Sequence, residues 1–308
     1  LGKAEAAFVL NFAKVYWPAF ADEPDLREDA KNMVGYLMRE QPSTLDKKGF
    51  FSYFISALGP DGKPAGFATG AVASTNIICD VLKMERPAKE LVFNFIGYVA
   101  IDPLFQKTGV DLVLLKEADV VASQNHLSAD YFITQVDKPQ QMVDELRDVT
   151  SQINQIEAAG RVSPQALNEQ RDYLQNLKEQ HDSLQRRVRS ARLLLRLWGN
   201  RYDLKAVPGL LNLEVITDYG SVSGPMPKPE GLPLLELLIR PASQEQNLMP
   251  LKDLEILLKG LYAYYEVLPG RKIEGTDLGA LDEYVRYSMK DVRIDGANVV
   301  LAKPAIPD

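Results

Sequence analysis

Residues 90 to 136 constrain the fold more than any other stretch. A nearly continuous apolar run over 90–101 breaks at Asp102-Pro103 and passes through a loop to Gly109. It then enters a helical pattern over 110–123 and returns to a strand, "ADYFITQV", at 129–136. An apolar run without polar alternation suits a strand covered on both faces. Two such strands joined by a helix pair in parallel through a right-handed crossover. The fold class is therefore α/β, with helices packed on the faces of a sheet.

The elements around this unit are consistent with it. Phe8, Phe12, Val15, Tyr16 and Phe20, then Leu26, Ala30, Met33, Val34 and Leu37, recur three and four apart and predict two helices over 5–41. "FFSYFISAL", 50–58, is aromatic and β-branched and reads as a strand. "GPDGKP" is a turn, with Pro60 presetting φ and Gly62 supplying a positive one, and "AGFATGAVAST" returns as the second strand of a hairpin. Later strands are expected at "LLNLEVITDYG" and "LPLLELLIR", joined by a Gly/Pro-rich connection over 219–233. A helix follows at 250–265, then a short helix at 279–289 and a short strand at "ANVVLA".

Residues 139–198 differ in kind. Met142, Leu146, Val149, Ile153 and Ile156 alternate four and three apart. After "AAGRVSP", with Ser163 as cap and Pro164 at the first helical position, Leu167, Gln170, Leu174, Leu177, His181, Leu184, Val188, Ala191 and Leu195 resume the pattern. The remaining positions are polar. Each arm buries its stripe on the other, giving a projecting antiparallel coiled-coil hairpin. It is read either as a structural insertion or as a surface for a homodimer or another protein.

Composition excludes several functions. The chain of 308 residues has one cysteine, Cys79, and two histidines, His126 and His181, so an internal disulfide, a Cys-cluster metal site and a His-His metal pair at helical spacing are all ruled out. No metal is expected. A net charge of −7 argues against a nucleic-acid binder. No apolar stretch approaches the length of a membrane span, and no leader pattern is visible at the start, so a cytoplasmic protein is expected.

Chemistry concentrates at "IDPLFQKTGVDLVLL". A strand delivers the chain to a loop in which Gly109 admits a backbone conformation closed to other residues. The helix that follows presents unpaired N–H groups and the positive end of its dipole. Such a loop is either an ordinary strand-to-helix turn or an anion cradle. It is neither a Walker loop nor a three-glycine dinucleotide fingerprint.

Gln106, Lys107, Thr108, Gly109, Val110 and Asp111 fall on the [QR]-x-x-G-x-[GA] phosphate loop of the GNAT superfamily of acyl-CoA N-acyltransferases. "YVAIDPLFQ" resembles the strand and turn before that loop, "LVLLKEA" the helix after it, and "ARLLLRLWGNRYDL", 191–204, the family's last helix. The resemblance covers about 5–240. It implies a mixed, mostly antiparallel sheet with flanking helices. It divides the chain into a first part of the fold, 1–138, the inserted hairpin, 139–190, a second part, 191–240, and an extension, 241–308, packed on the core.

It also implies acetyl-CoA or another acyl-CoA as co-substrate and an amine acceptor. The backbone of Val99, Ala100 and Ile101 would pair with the pantetheine amides. The amides of Lys107 to Asp111 would hold the pyrophosphate, with Lys107 adding charge. Three positions depart from the pattern. Asp111 stands where the family has Gly or Ala, and its carboxylate could cap the helix and fill the cradle. Leu195 stands where many members have a thiolate-protonating Tyr, leaving Tyr202 as the substitute. The strand 91–97 carries no acid, only Asn94. Asp80, beside Cys79, is the remaining candidate for acid–base work. Two functions stay open: an acyl-CoA-dependent N-acyltransferase, or a catalytically weakened protein of this fold acting through its hairpin as an interaction module.

Overall fold

The computed structural model describes residues 14–15, 50–124, 128–158, 164–213, 234–242, 247–267 and 278–306. The helices expected over 5–41, His126, and most of the strand expected over 210–220 lie outside these residues.

The first two strands, β1 (Phe50–Leu58) and β2 (Pro64–Ser74), form the expected hairpin. β2 is buried at every position except Thr69, because it lies between two strands and under helices on both faces. Its last residue, Ser74, accepts the Ile77 N–H through Oγ and starts α1 (Thr75–Leu82), which closes on Lys83 in a left-handed conformation. β3 (Val92–Ile101), α2 (Val110–Gln124) and β4 (Tyr131–Asp137) make the parallel unit.

The hairpin arms are α3 (Pro139–Ala158) and α4 (Pro164–Arg196), and α4 runs on into a π turn, Leu197–Arg201. No glycine or proline interrupts 165–196, so the hairpin's second arm and the helix that resembles the family's last one are a single 33-residue rod. Short strands β5 (Lys205–Ala206) and β6 (Asn212–Leu213) and a longer β7 (Leu234–Pro241) complete the main sheet. The order is β1-β2-β3-β4-β7-β5, with β6 also on β7. Among the described residues only β3 and β4 run parallel. This is the mixed, mostly antiparallel sheet with flanking helices that the resemblance implies.

The extension adds β8 (Leu248–Pro250), α5 (Leu251–Val267), α6 (Leu278–Ser288), β9 (Ile294–Asp295) and β10 (Asn298–Val300). Alternation along the strands sorts the core into two faces. Phe93, Tyr131, Ile133, Leu237 and Ile239 pack with Ile78 and Leu82 of α1 and with Leu254, Leu257 and Leu258 of α5. On the other face, Val72, Val92 and Phe132 cluster with Ala118 of α2, while Ile96, Val136 and Leu238 cluster with Leu115 of α2 and Leu195 and Trp198 at the end of α4. The start of α2 and the end of α4 therefore share one face.

Candidate functional site

Pairing between β3 and β4 runs only from Phe93 opposite Tyr131 to Ile96 opposite Thr134, and Thr134 Oγ1 fastens the last pair by donating to Ile96 O at 3.0 Å. Beyond it β3 continues to Ile101 and β4 to Asp137, with no pairing between them among the described residues. The cause lies on the other side of β3. Against β2, Ile96 faces Gly70 and Val99 faces Ala68, so Gly97 and Tyr98 together oppose Thr69. Two residues against one is a β-bulge, which bends a strand and increases its twist. The bend comes at the residue after the last β3–β4 pair. The two parallel strands part there and leave a cleft edged by the backbone of Val99, Ala100 and Ile101.

The loop follows directly. Asp102 Oδ1 accepts the Leu104 N–H at 2.8 Å, the Phe105 N–H donates to Asp102 O at 2.8 Å, and Thr108 Oγ1 donates to Phe105 O at 2.7 Å. These bonds fold 102–108 back on itself and bring the chain into α2 through two left-handed residues, Lys107 at φ 67° and Gly109 at φ 90°. Gln106, Lys107 and Thr108 are exposed. The N–H groups of Val110, Asp111 and Leu112 in the first turn have no acceptor within the helix, and no described side chain accepts from them. The helix start thus presents an open ring of donors at the mouth of the cleft, whereas the Gln106 and Thr108 N–H groups are taken within the loop by Pro103 O and Phe105 O.

Asp111 does not fill that ring. Its Oδ2 lies 3.6 Å from Nη1 of Arg201, in the π turn after α4. The capping role that its position suggests is not the one its side chain takes.

Leu195 is fully buried beside Ile96 and Val136, under the point where the strands part. Tyr202, seven residues on, packs in the same cluster, with its ring 5.7 Å from that of Trp198. Its hydroxyl is buried and has no hydrogen-bond partner among the described residues. Burial raises its pKa, and the carboxylates of Asp111 and Asp119 raise it further, so the hydroxyl stays protonated. Asp119 is itself held by Arg240 at 3.1 Å, and that guanidinium lies 4.2 Å over the Phe132 ring.

The other sequence candidates are placed elsewhere. Asn94 is fully buried. It accepts from Tyr53 Oη at 2.8 Å and donates to Ala118 O at 2.9 Å, tying β1, β3 and α2 together. Asp80 is exposed on α1, against the opposite sheet face, and is held by both nitrogens of an Arg86 fork. Cys79 is buried beside it. His181 lies on the hairpin, 3.2 Å from Asp182. Sequence reasoning missed Arg201 and the bulge. A glycine inside a strand, Gly97, was the one available sign of the latter.

No protein-family model and no curated protein matches the sequence. Among solved structures the chain is similar to NAA60 of Arabidopsis thaliana in complex with acetyl-CoA, at 12% identity and a TM-score of 0.35, over 74% of this chain and 91% of that one. It is also similar to Naa20 of Chaetomium thermophilum in complex with a bisubstrate analogue, at 10% identity and a TM-score of 0.35, over 76% and 82%. An acetyltransferase from Bacillus cereus is similar at 14% identity and a TM-score of 0.21. That match covers 34% of this chain and 61% of the other, less than two thirds of its length. Superpositions this loose carry nothing about substrate or activity. The strand order and the loop of the chain itself are what tie it to a fold. In that architecture the chain is similar to the acyl-CoA N-acyltransferases of the GNAT superfamily, with a helical hairpin inserted and a C-terminal extension added.

Proposed function

We propose that the chain is an acyl-CoA-dependent N-acyltransferase. The observation that carries this reading is the parting of β3 and β4 at Ile96 and Thr134, with the donor ring at the start of α2 at its mouth. A strand edge freed on one side can take an extended molecule with regularly spaced amides as an added strand. Pantetheine is such a molecule, and Val99, Ala100 and Ile101 would pair with it. The pyrophosphate at its far end would meet the N–H groups of Lys107, Gly109, Val110 and Asp111, with Gln106 preceding them and Lys107 supplying a cation, while the Thr108 N–H is taken by Phe105 O at 3.3 Å. One diphosphate-bearing chain then satisfies both halves of the site.

The chemistry asked of the protein is modest. An acceptor amine attacks the thioester carbonyl and loses a proton, the C–S bond breaks, and the thiolate takes a proton. Tyr202 is the group we assign to that last step. Its hydroxyl is protonated, buried and without a partner on the cleft's face of the sheet. Asn94 has both its hydrogen-bonding ends engaged and Asp80 is on the other face, so neither is assigned a role. The net negative charge would favour cationic acceptors by steering.

Calorimetric titration with acetyl-CoA, followed by a screen of amines, tests the reading. Micromolar binding is expected. In any amine reaction found, Tyr202→Phe should lower kcat by roughly 10²-fold, the scale of general acid catalysis. It should leave thermal stability unchanged, since the hydroxyl removed makes no hydrogen bond. No binding by folded protein would end this reading.

One observation favours a second role. A cavity of about 780 Å³ runs along one side of the hairpin, floored by Val143, Leu146 and Val188 and bordered by Arg147, Arg189 and Arg192. A surface of this kind suits a protein partner, a second copy included. An interaction function through the hairpin would stand even if catalysis were weak.

A further inference from the structure

We propose that Arg201 is a phosphate-binding residue of this cleft, and that Asp111 holds it in place across the gap between the start of α2 and the end of α4. The inference rests on the acyl-CoA reading and deepens it. Asp111 belongs to the first turn of α2, whose amides form the donor ring. Arg201 belongs to the π turn that closes α4, 90 residues further along the chain. The Asp111 side chain is 15% exposed and that of Arg201 is 54% exposed. The carboxylate is thus sheltered while the guanidinium stands at the rim.

The contact leaves Arg201 available. At 3.6 Å it is an ion pair but longer than a hydrogen bond. A guanidinium has five N–H donors in a planar fork suited to two acceptors at once. The remaining donors face no described acceptor. Phosphate oxygens arriving at the ring would find Arg201 already positioned, with little side-chain freedom left to lose.

The same pairing accounts for an acidic residue in a phosphate loop. An unneutralised Asp111 carboxylate would repel a pyrophosphate at the neighbouring amides. With Arg201 beside it, the local charge is balanced, and the carboxylate becomes an anchor for a second cation beside Lys107 of the loop. The same short stretch holds two further donors without an acceptor among the described residues. Trp198 Nε1 belongs to a residue only 2% exposed, and Tyr202, whose Oη is the other, follows Arg201 in the chain. Both residues pack in one cluster with Leu115, a turn along α2 from Asp111.

The test is calorimetric titration of two probes into the full chain: acetyl-CoA, and S-acetylpantetheine, which lacks every phosphate. Arg201→Gln should weaken acetyl-CoA at least tenfold and leave S-acetylpantetheine unchanged. Asp111→Asn should weaken acetyl-CoA severalfold by releasing Arg201, and should instead tighten it in the Arg201→Gln background, where nothing neutralises the carboxylate; tightening in the wild-type background would overturn the positioning role of Asp111. Acetyl-CoA binding by Arg201→Gln equal to wild type would overturn the assignment and leave the acyl-CoA reading standing. So would equal weakening of both probes. Absence of acetyl-CoA binding by wild type and by Asp111→Asn alike would overturn both. Arg201 is at the surface, so matching thermal unfolding of the variants is expected and checks that each is folded.

Discussion

Gly109 and Gly62 offer a matched pair for separating backbone strain from ligand contact. Both have positive φ, 90° and 74°. A Cβ at Gly62 would have nothing within 4 Å, and one at Gly109 would meet only Leu112 Cδ1, at 4.0 Å. Neither substitution to Ala creates a clash, so each should cost the left-handed penalty alone, about 1–2 kcal/mol. The narrower freedom of Ala in the unfolded chain offsets up to ~1 kcal/mol of that. Both variants should lose about 1 kcal/mol, a shift of roughly 1.5 °C in Tm for a chain of 308 residues. Ligand contact then divides them. The methyl of Gly109→Ala would stand where the cradle backbone must be approached closely, whereas Gly62 lies in the β1–β2 turn. Acetyl-CoA should bind Gly109→Ala at least tenfold more weakly, and Gly62→Ala as wild type. Scanning calorimetry and titration read both quantities. Equal acetyl-CoA affinity in the two variants would refute the placement of the cradle. A much larger Tm loss at Gly109 would refute the strain argument.

Asn94→Leu should cost roughly 1–3 kcal/mol in urea unfolding, because it leaves Tyr53 Oη buried without a partner and removes the side-chain bond to Ala118 O. Adding Tyr53→Phe should recover part of that loss. Glu236 lies in β7, half-buried, 3.9 Å from Lys138, and burial raises its pKa despite that cation. A carboxyl with a raised folded-state pKa contributes stability that is full below its unfolded pKa and is lost as pH rises through the folded one. Wild type is thus penalised at neutral pH. Glu236→Gln should be the more stable at pH 8, with the gap closing as pH falls into the ordinary Glu range. Urea unfolding at several pH values checks the sign. Excising 142–190 behind a short linker tests the hairpin as a self-association surface. A fall in mass by light scattering from two chains to one is expected, and an unchanged mass would remove that role.

The sheet's first half was legible because its signals are local. The apolar run of 90–101, the Asp102-Pro103 break and Gly109 fix β3, the loop and α2 within a few residues of one another. α1 was not read, although Ser74 carries its capping oxygen. Eight residues rich in Ile and Val between two strands do not announce a helix. The short strands β8 and β9 were missed for want of length. The cleft could not be read, since it depends on a register shift between β2 and β3, which is a relation between strands and not a property of either. The Asp111–Arg201 pair is invisible for the same reason. Asp111 alone suggests a cap, and only the folded chain shows that the end of α4 arrives beside it. Asn94 reads as the one polar group on its strand, a site candidate by elimination. The structure shows what a buried Asn more commonly does, which is to satisfy its neighbours.

Hydrogen exchange of the full chain with and without acetyl-CoA bears most directly on the cleft, because it reports binding and location together. Slower exchange confined to the amides of 97–101 and 107–112 is expected, the first from strand addition at β3 and the second from the pyrophosphate. Unchanged exchange over both segments at saturating acetyl-CoA, or protection located elsewhere in the chain, would contradict the acyl-CoA cleft.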